Sequence, residues 1–193
     1  MELVGPLREQ SHIDAVKGVL LHRADLRDYC LFVVGINCWL SADALLELRM
    51  ADVVDSHGHV RDKIHSATYG AYADVCLADT AKQALQRYLR DRFYYTLDEP
   101  VFRSEKGGGM RAIHRAQAWK VLHHAGKAAG IKQSVGLNTL RKTWGYHALQ
   151  RGVSVARLKE LFHHRSLAFT LSYLEVYENS DPSHDDKELV LNL

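Results

Sequence analysis

The apolar positions at the start of the chain recur with the spacing of helices. Four of them fall on one face of an α-helix: Ile13, Val16, Val19 and Leu20. A turn near residues 22–25 separates them from the apolar run 31–36. Two helices are therefore predicted within residues 12–36.

A capped helix and a pair of strands are predicted next. Ser41 can cap a helix whose apolar stripe comprises Ala44, Leu45 and Leu48. Residues 56–59 indicate a turn, and the runs 60–67 and 72–77 have the length and composition of short strands. Tyr69-Gly70 between the two runs fits a hairpin turn. A small antiparallel β-sheet is therefore predicted.

The rest of the chain again shows helical spacing. A helix capped by Asp79 or Thr80 is predicted to run to about Tyr95, and the glycine-rich stretch 104–111 indicates a loop. Four more helices are predicted, at 114–130, 138–152, 154–162 and 167–177. A polar break precedes the short apolar tail LVLNL. The chain is therefore interpreted as one α+β, mostly helical domain over residues 1–193.

The composition excludes several classes of protein. With 193 residues, of which 47% are hydrophobic and 25% charged, the chain can form a packed core. No apolar run reaches the roughly 18 residues of a membrane span, and the N-terminus lacks the apolar core of a secretory signal. Three cysteines without a CxxC pair are typical of a reducing compartment, so a cytoplasmic protein with no membrane partner is expected. The net charge of +2 permits a nucleic-acid partner without requiring one.

Four segments resemble the catalytic domain of the tyrosine recombinases, the phage-integrase family, and occur in the family's order. They are residues 27–55, 60–77, 138–152 (NTLRKTWGYHALQRG) and 158–174 (LKELFHHRSLAFTLSYL). The third segment is similar to the family's H-T-L-R-K-T-F-G-Y-H box, and the fourth to its L-x-x-L-x-G-H-S-S…T-x-x-Y ending. His164 follows Arg141 by 23 positions and Tyr173 follows His164 by nine, as in the family. The resemblance implies a catalytic domain with a small antiparallel sheet and without the separate N-terminal DNA-clamp domain of many integrases.

The resemblance also implies a reaction and its residues. Family members attack a DNA phosphodiester with a tyrosine hydroxyl, form a 3′-phosphotyrosyl intermediate and release a 5′-hydroxyl, with no ATP, metal or other cofactor. Tyr173 matches the nucleophile, Arg141 matches the second family arginine, and His164 matches the hydrogen-bond donor ahead of the nucleophile. A guanidinium suits two oxygens of the charged phosphoryl transition state at once. A metal at His163-His164 is not expected, because adjacent helical residues point about 100° apart and no third ligand is evident.

Three other catalytic positions of the family carry different residues. Ser41 stands at the family's first arginine, Thr68 near the hairpin lysine that acts as general acid, and Asn138 at a histidine. Asparagine can donate a hydrogen bond but cannot transfer a proton as an acid or base. Loss of one oriented donor costs about 10²–10³ in rate, and loss of a general acid about 10²–10⁴. Cleavage is therefore predicted to be slower than in the family by several orders of magnitude.

Basic residues follow the predicted loop and helix within 103–132. Arg111, Arg115 and Lys120 are candidate DNA-binding residues, as is Lys142 beside Arg141. A basic helix is often an ordinary solvated face, so the interpretation as a DNA contact depends on the family resemblance. It predicts a steep salt dependence of binding.

Two functional hypotheses follow from these observations. The first is a site-specific recombination or integration protein that binds double-stranded DNA, cleaves and rejoins it with impaired activity, and assembles as a homotetramer on DNA. Its tail, residues 179–193, then docks on a neighbouring subunit or packs on its own core. The second is a non-catalytic DNA-binding or regulatory relative that occupies recombination sites or co-assembles with an active recombinase. An unrelated helical interaction domain that only mimics the motifs is the third alternative.

Overall fold

The computed structural model describes residues 4–23, 25–65, 75–92, 94–104, 111–176 and 190–193. The helices of these residues are α1 (Gln10–His22), α2 (Leu26–Ile36), α3 (Ala42–Glu47), α4 (Met50–Val53), α5 (Asp79–Arg90), α6 (Arg115–Ala128), α7 (Leu137–Gln150), α8 (Val155–Phe162) and α9 (Leu167–Leu174). The prediction of a mostly helical fold is confirmed. None of these helices combines the length and the apolar character that crossing a membrane requires.

Helix α2 forms the centre of the molecule because it is apolar on nearly all sides. Every residue from Cys30 to Ile36 is buried. A helix without a polar face has to be covered by other elements, and α1, α5 and α7 pack around it. Helix α1 contributes Ile13, Val16 and Leu20 to this core, as the helical spacing predicts.

Serine side chains begin three of the helices. Ser41, Ser154 and Ser166 each accept a hydrogen bond from the backbone N–H three residues further on, at 3.1–3.2 Å. Such a cap stabilises a helix by about 1 kcal/mol. The predicted cap at Ser41 is confirmed.

The boundaries predicted for α5 were wrong at both ends. Its N-cap is the buried Ala78, which makes no side-chain cap bond, and its last residue is Arg90. The helix stops short of Tyr95 because the chain turns there, and Arg92 forms a buried ion pair with Glu99. The helical spacing of the sequence did not reveal this contact between side chains seven positions apart.

The predicted antiparallel sheet is not confirmed. Residues 66–74, which include the predicted hairpin turn at Tyr69-Gly70, lie outside the described residues. Within the part of the chain that the structure describes there is no strand, and isolated antiparallel bridges join Val54 to Val60 and Lys63 to Cys76. The mostly helical fold class is therefore established, and the small sheet stays a prediction.

Two glycines allow α7 to approach its neighbours closely. A Cβ atom on Gly35 of α2 would lie 2.5 Å from Leu140 Cδ1 of α7. A Cβ atom on Gly145 of α7 would lie 2.7 Å from both Leu174 Cδ2 of α9 and Phe162 Cζ of α8. Carbon atoms in contact normally stand about 3.5–4.0 Å apart, so a side chain at either position would force its neighbours to shift. This packing brings α7, α8 and α9 together on one side of the core.

The last four residues of the chain pack on its own core. Leu191 and Leu193 are each 2% exposed. The side-chain amide of Asn37, at the end of α2, donates to the Leu193 carbonyl at 3.2 Å and accepts from the Leu193 N–H at 2.8 Å. This is one of the two arrangements predicted for the tail. Residues 177–189, which lead to it, lie outside the described residues.

Candidate active site

Tyr173 lies on α9 within a cluster of aromatic and basic side chains. Its ring centroid is 4.9 Å from that of His164 and 5.8 Å from that of Phe162, both in edge-on geometry. Lys142 Nζ lies 5.3 Å from the centroid of the same ring. Burial raises the pKa of Tyr173 above its usual value, whereas the charge of Arg141 and a hydrogen bond from its side chain oppose the rise in pKa. The phenol is therefore protonated at neutral pH and lies beside a cation that stabilises its ionised form.

Arg141 projects from α7 and is fixed by contacts with two other elements. Its Nε donates to the Trp39 carbonyl at 2.8 Å, and its guanidinium carbon lies 4.5 Å from the Phe162 ring centroid. Its Nη2 is buried and has no hydrogen-bond partner among the described residues. Buried polar groups are nearly always paired, and an unpaired one requires an explanation such as a bound ion. This nitrogen is therefore suited to bind an anionic oxygen.

His164 lies in the turn between α8 and α9. Its Nδ1 is 3.1 Å from Thr170 Oγ1, and the Thr170 hydroxyl donates to the Ser166 carbonyl at 3.2 Å. Because a hydroxyl carries a single proton, these two bonds require His164 Nδ1 to be the donor. Burial, and then the nearby charge of Arg141, lowers the pKa of His164 to about 4. The ring is therefore neutral at physiological pH, with no proton on Nε2.

Phe162 connects the side chains of this cluster, a role that the sequence analysis did not predict. Its ring contacts Arg141 and Tyr173 as described above, and its centroid is 5.2 Å from that of His164. The next residue, His163, ends α8 in the left-handed conformation with φ 54°. That conformation closes many helices and directs the chain so that His164 returns to the Phe162 ring. His163 itself is exposed.

Two of the three substituted positions of the motif, Ser41 and Asn138, lie within the described residues. Ser41 follows Trp39, whose carbonyl binds Arg141, by two residues, but its hydroxyl caps α3. Asn138 lies on α7, one turn before Arg141, and is exposed. Thr68 lies outside the described residues. The structure thus brings Tyr173, Arg141 and His164 together and shows the Ser41 side chain engaged in a helix cap.

The candidate DNA-binding residues fall into two groups. Arg111, Arg115 and Lys120 are exposed on α6 or just before it. Arg115 Nη1 lies 2.7 Å from Asp43 Oδ1 in an ion pair that is itself exposed. Lys142, by contrast, has a side chain that is 14% exposed and lies 3.0 Å from a carboxylate oxygen of Glu175. Lys142 therefore belongs to the Tyr173 cluster rather than to the exposed basic face.

The cations of the candidate site are the side chains of Arg141 and Lys142. Within the described ranges, no three His, Cys, Asp or Glu residues are grouped so that they could hold a metal ion. A guanidinium with a free donor next to a phenol can bind one phosphate-like group in contact with a hydroxyl nucleophile. The geometry is thus suited to phosphoryl transfer to a tyrosine.

Comparison with known sequences identifies related proteins. A model of the phage integrase family matches residues 10–180. The chain is 31% identical over 184 residues to a probable integrase/recombinase, YoeC, of Bacillus subtilis (strain 168). This alignment covers 93% of the present chain and 94% of YoeC.

Solved structures of two recombinases share the fold. The crystal structure of XerA recombinase has a TM-score of 0.69 and 21% sequence identity, over 91% of the present chain and 60% of XerA. XerH site-specific recombinase, bound to a palindromic difH substrate in a post-cleavage complex, has a TM-score of 0.67 and 17% identity. That match covers 93% of the present chain and 50% of XerH. The present chain therefore spans 60% of one of these solved chains and 50% of the other.

Proposed function

We propose that this chain, which belongs to the phage integrase family of tyrosine recombinases, binds duplex DNA and cleaves and rejoins its strands at Tyr173 in site-specific recombination. The observation that carries the proposal is the buried Nη2 of Arg141, which has no hydrogen-bond partner among the described residues, on a guanidinium whose charge acts on the Tyr173 hydroxyl. A DNA phosphate would supply the acceptor oxygen that this nitrogen lacks. XerH, which has the same fold, was solved with its DNA substrate after cleavage, and this supports DNA as the partner here.

The proposed reaction exchanges one phosphate ester for another. The Tyr173 oxygen bonds to phosphorus while the bond from phosphorus to the 5′-oxygen breaks, which leaves a 3′-phosphotyrosyl link. The phenol gives up one proton and the leaving 5′-oxygen takes one, so attack by a 5′-hydroxyl reverses the step. Arg141 binds the non-bridging oxygens, where negative charge grows. The nearby anionic phosphate favours protonation of the His164 ring. The protonated ring then donates a hydrogen bond to the phosphate.

We propose further that cleavage is slow. Ser41 caps a helix and supplies no second guanidinium, and Asn138 cannot act as an acid or base. Each lost donor removes about 10²–10³ in rate. Such losses are not strictly additive, but their combined effect is expected to be several orders of magnitude.

The exposed residues Arg111, Arg115 and Lys120 are proposed to contact the DNA backbone. Each phosphate contact adds about 0.9 to the slope of log affinity against log salt. Loss of all three side chains should therefore flatten the slope by about 2–3. The same change made at Arg157, an exposed basic residue of α8, is the matched control.

Residues 1–193 are proposed to act as one catalytic-type domain, and the family resemblance extends the proposal to a tetramer on two DNA sites. On assembly, the tail, whose last four residues pack on the core of their own chain in the structure, is proposed to exchange with a neighbouring subunit. Analytical ultracentrifugation with duplex DNA tests the assembly. Complexes that contain one protein per site and no higher species would contradict it.

A nicked suicide duplex tests the cleavage proposal, because it traps the covalent intermediate. We expect a slowly formed protein–DNA adduct that Tyr173→Phe abolishes. Tyr94→Phe, which changes a tyrosine that is 75% exposed, should leave the adduct unchanged. DNA binding without any adduct would refute the cleavage proposal.

The non-catalytic alternative is favoured by one observation, the use of Ser41 as a helix cap at the first arginine position. The triple change Ser41→Arg, Thr68→Lys and Asn138→His separates the two hypotheses. Faster adduct formation in this variant supports an impaired catalytic site. A triple variant that binds DNA but still forms no adduct supports the regulatory role.

A further inference from the structure

Glu175 connects the end of the Tyr173 helix to two other parts of the chain. It caps α9 in the left-handed conformation, with φ 57° and ψ 39°. Its carboxylate lies 3.0 Å from Lys142 Nζ on α7, and the two side chains are 22% and 14% exposed. Its backbone carbonyl accepts a hydrogen bond from Arg8 Nη2 at 2.9 Å. Since both side chains of the ion pair are largely shielded from solvent, screening weakens the pair less than it would on the surface.

Lys142 lies over the ring of Tyr173. The distance of 5.3 Å from Lys142 Nζ to the ring centroid is that of a cation–π contact. The charge that acts on the phenol oxygen belongs to Arg141. A lysine has a flexible four-carbon stem, so its place over the ring depends on the Glu175 carboxylate that holds its ammonium group.

A short N-terminal segment, residues 5–8, which we term the N-terminal strap, holds Glu175 from the other side. The Leu7 N–H donates to Thr143 Oγ1 at 2.9 Å, and the Leu7 carbonyl lies 2.9 Å from His147 Nε2. Both partners lie on α7, Thr143 directly after Lys142 and His147 five residues beyond it. A Cβ atom on Gly5 would lie 2.7 Å from Glu175 Oε2. The strap therefore contacts both the helix that carries Lys142 and the carboxylate that orients it.

We propose that Glu175 is a positioning residue for Tyr173, and that the N-terminal strap controls it. Glu175 holds Lys142 against the Tyr173 ring, and the strap fixes Glu175 through Arg8 and Gly5. Displacement of the strap then frees Lys142 and lets the Tyr173 ring change its orientation relative to Arg141. The effect on DNA cleavage rests on the proposed function, whereas the effect on the ring does not.

Fluorine NMR of protein labelled with 3-fluorotyrosine tests the positioning without DNA. The chain has nine tyrosines, and the signal that Tyr173→Phe removes identifies Tyr173. Glu175→Gln is expected to shift or broaden this signal while most other tyrosine signals keep their positions. Arg8→Gln, which leaves the core intact, should shift the Tyr173 signal in the same direction by a smaller amount. Lys142→Arg, which keeps the cation, should leave the Tyr173 signal largely unchanged.

The matched control is Glu160→Gln, which breaks a comparable ion pair on α8. Glu160 lies 3.3 Å from Arg157, but these side chains are 63% and 47% exposed. The Tyr173 signal should not respond to this change. A Tyr173 signal that is the same in Glu175→Gln and Glu160→Gln would overturn the proposal.

Adduct formation on the suicide duplex measures the consequence for cleavage. Misplacement of a reacting group by about 1 Å can cost 10²-fold in rate, and we expect a loss of roughly tenfold in Glu175→Gln and in Lys142→Met. The double variant should be no slower than the slower single variant, since the two residues act as one unit.

The outcomes separate the two proposals. Fully additive losses in the double variant would show that Lys142 and Glu175 act independently and would overturn the positioning role. If the unchanged protein forms no adduct, the cleavage proposal fails, and the NMR comparison still decides whether Glu175 positions Tyr173.

Discussion

Replacement of Gly145 by alanine is expected to disturb the packing that places Tyr173 beside Arg141. The added Cβ would lie 2.7 Å from Leu174 Cδ2 and from Phe162 Cζ. Leu174 is 0% exposed and Phe162 is 3% exposed, so neither can move into solvent at low cost. Overpacking of a buried site costs about 1–3 kcal/mol, and alanine gains about 1 kcal/mol over glycine within a helix. We therefore expect a net destabilisation of about 1 kcal/mol.

Gly18→Ala in α1 is the matched control. Gly18 is exposed, and a Cβ atom on it would have no atom within 4 Å. This variant should be stabilised by about 0.5–1 kcal/mol. Both changes share the gain in helix propensity, so the difference between their free energies of unfolding, about 1–3 kcal/mol, measures the cost of the contacts at Gly145.

Urea denaturation followed by circular dichroism measures the free energies of unfolding of Gly145→Ala and Gly18→Ala. The two values can be compared if both variants unfold with the same m-value. The least costly relief of the contact is an outward shift of α9, which moves Tyr173 away from Arg141. Gly145→Ala should therefore also slow adduct formation by about tenfold, and Gly18→Ala should not. Equal stabilisation of the two variants would refute the close approach of α7 to α8 and α9.

Three further predictions concern the tail, the basic face and pH. Asn37→Ala removes both hydrogen bonds to Leu193 and should cost about 1–3 kcal/mol. Hydrogen exchange should show a less protected Leu193 amide, and unchanged protection would contradict the hydrogen bonds between Asn37 and Leu193. Asp43→Asn releases Arg115 from an exposed ion pair, so the DNA affinity measured by fluorescence anisotropy should rise several-fold. The free energy of unfolding should change by less than about 1 kcal/mol. A variant with the same DNA affinity as the unchanged protein would show that Arg115 does not contact the DNA. The pKa of His164 is about 4 in the folded state and near 6.5 unfolded, so its stabilising contribution is complete above pH 6.5 and is lost as the pH falls toward 4. Over that interval the stability advantage over His164→Gln should shrink by about 1 kcal/mol, allowing for solvent screening, and a constant difference would contradict the lowered pKa.

The sequence predicted those elements whose signals are local. The apolar stripe of α1 and the serine cap of α3 depend on residues within two turns of each other, and both are confirmed. The end of α5 was predicted too late because a buried contact between Arg92 and Glu99 lies beyond the helix. The short helix α4 was not predicted at all, since Met50–Val53 has too few residues to show a helical period.

The family, and the three residues around which the candidate site is built, followed from the sequence by itself. The spacing of Arg141, His164 and Tyr173 is a property of the linear chain, and it needed no coordinates. Their protonation and their partners were decided only by the tertiary structure. Whether Arg141 Nη2 lacks an acceptor, or whether His164 is neutral, depends on burial by α7, α8 and α9.

Glu175 gives the plainest example of this division. Its partners Lys142 and Arg8 lie 33 and 167 positions away in the chain. No periodic pattern extends over such separations, because helical and strand periods describe only the faces of single elements. Contacts between distant segments depend on how the faces pack in three dimensions, and that packing determines which charges and hydroxyls surround Tyr173.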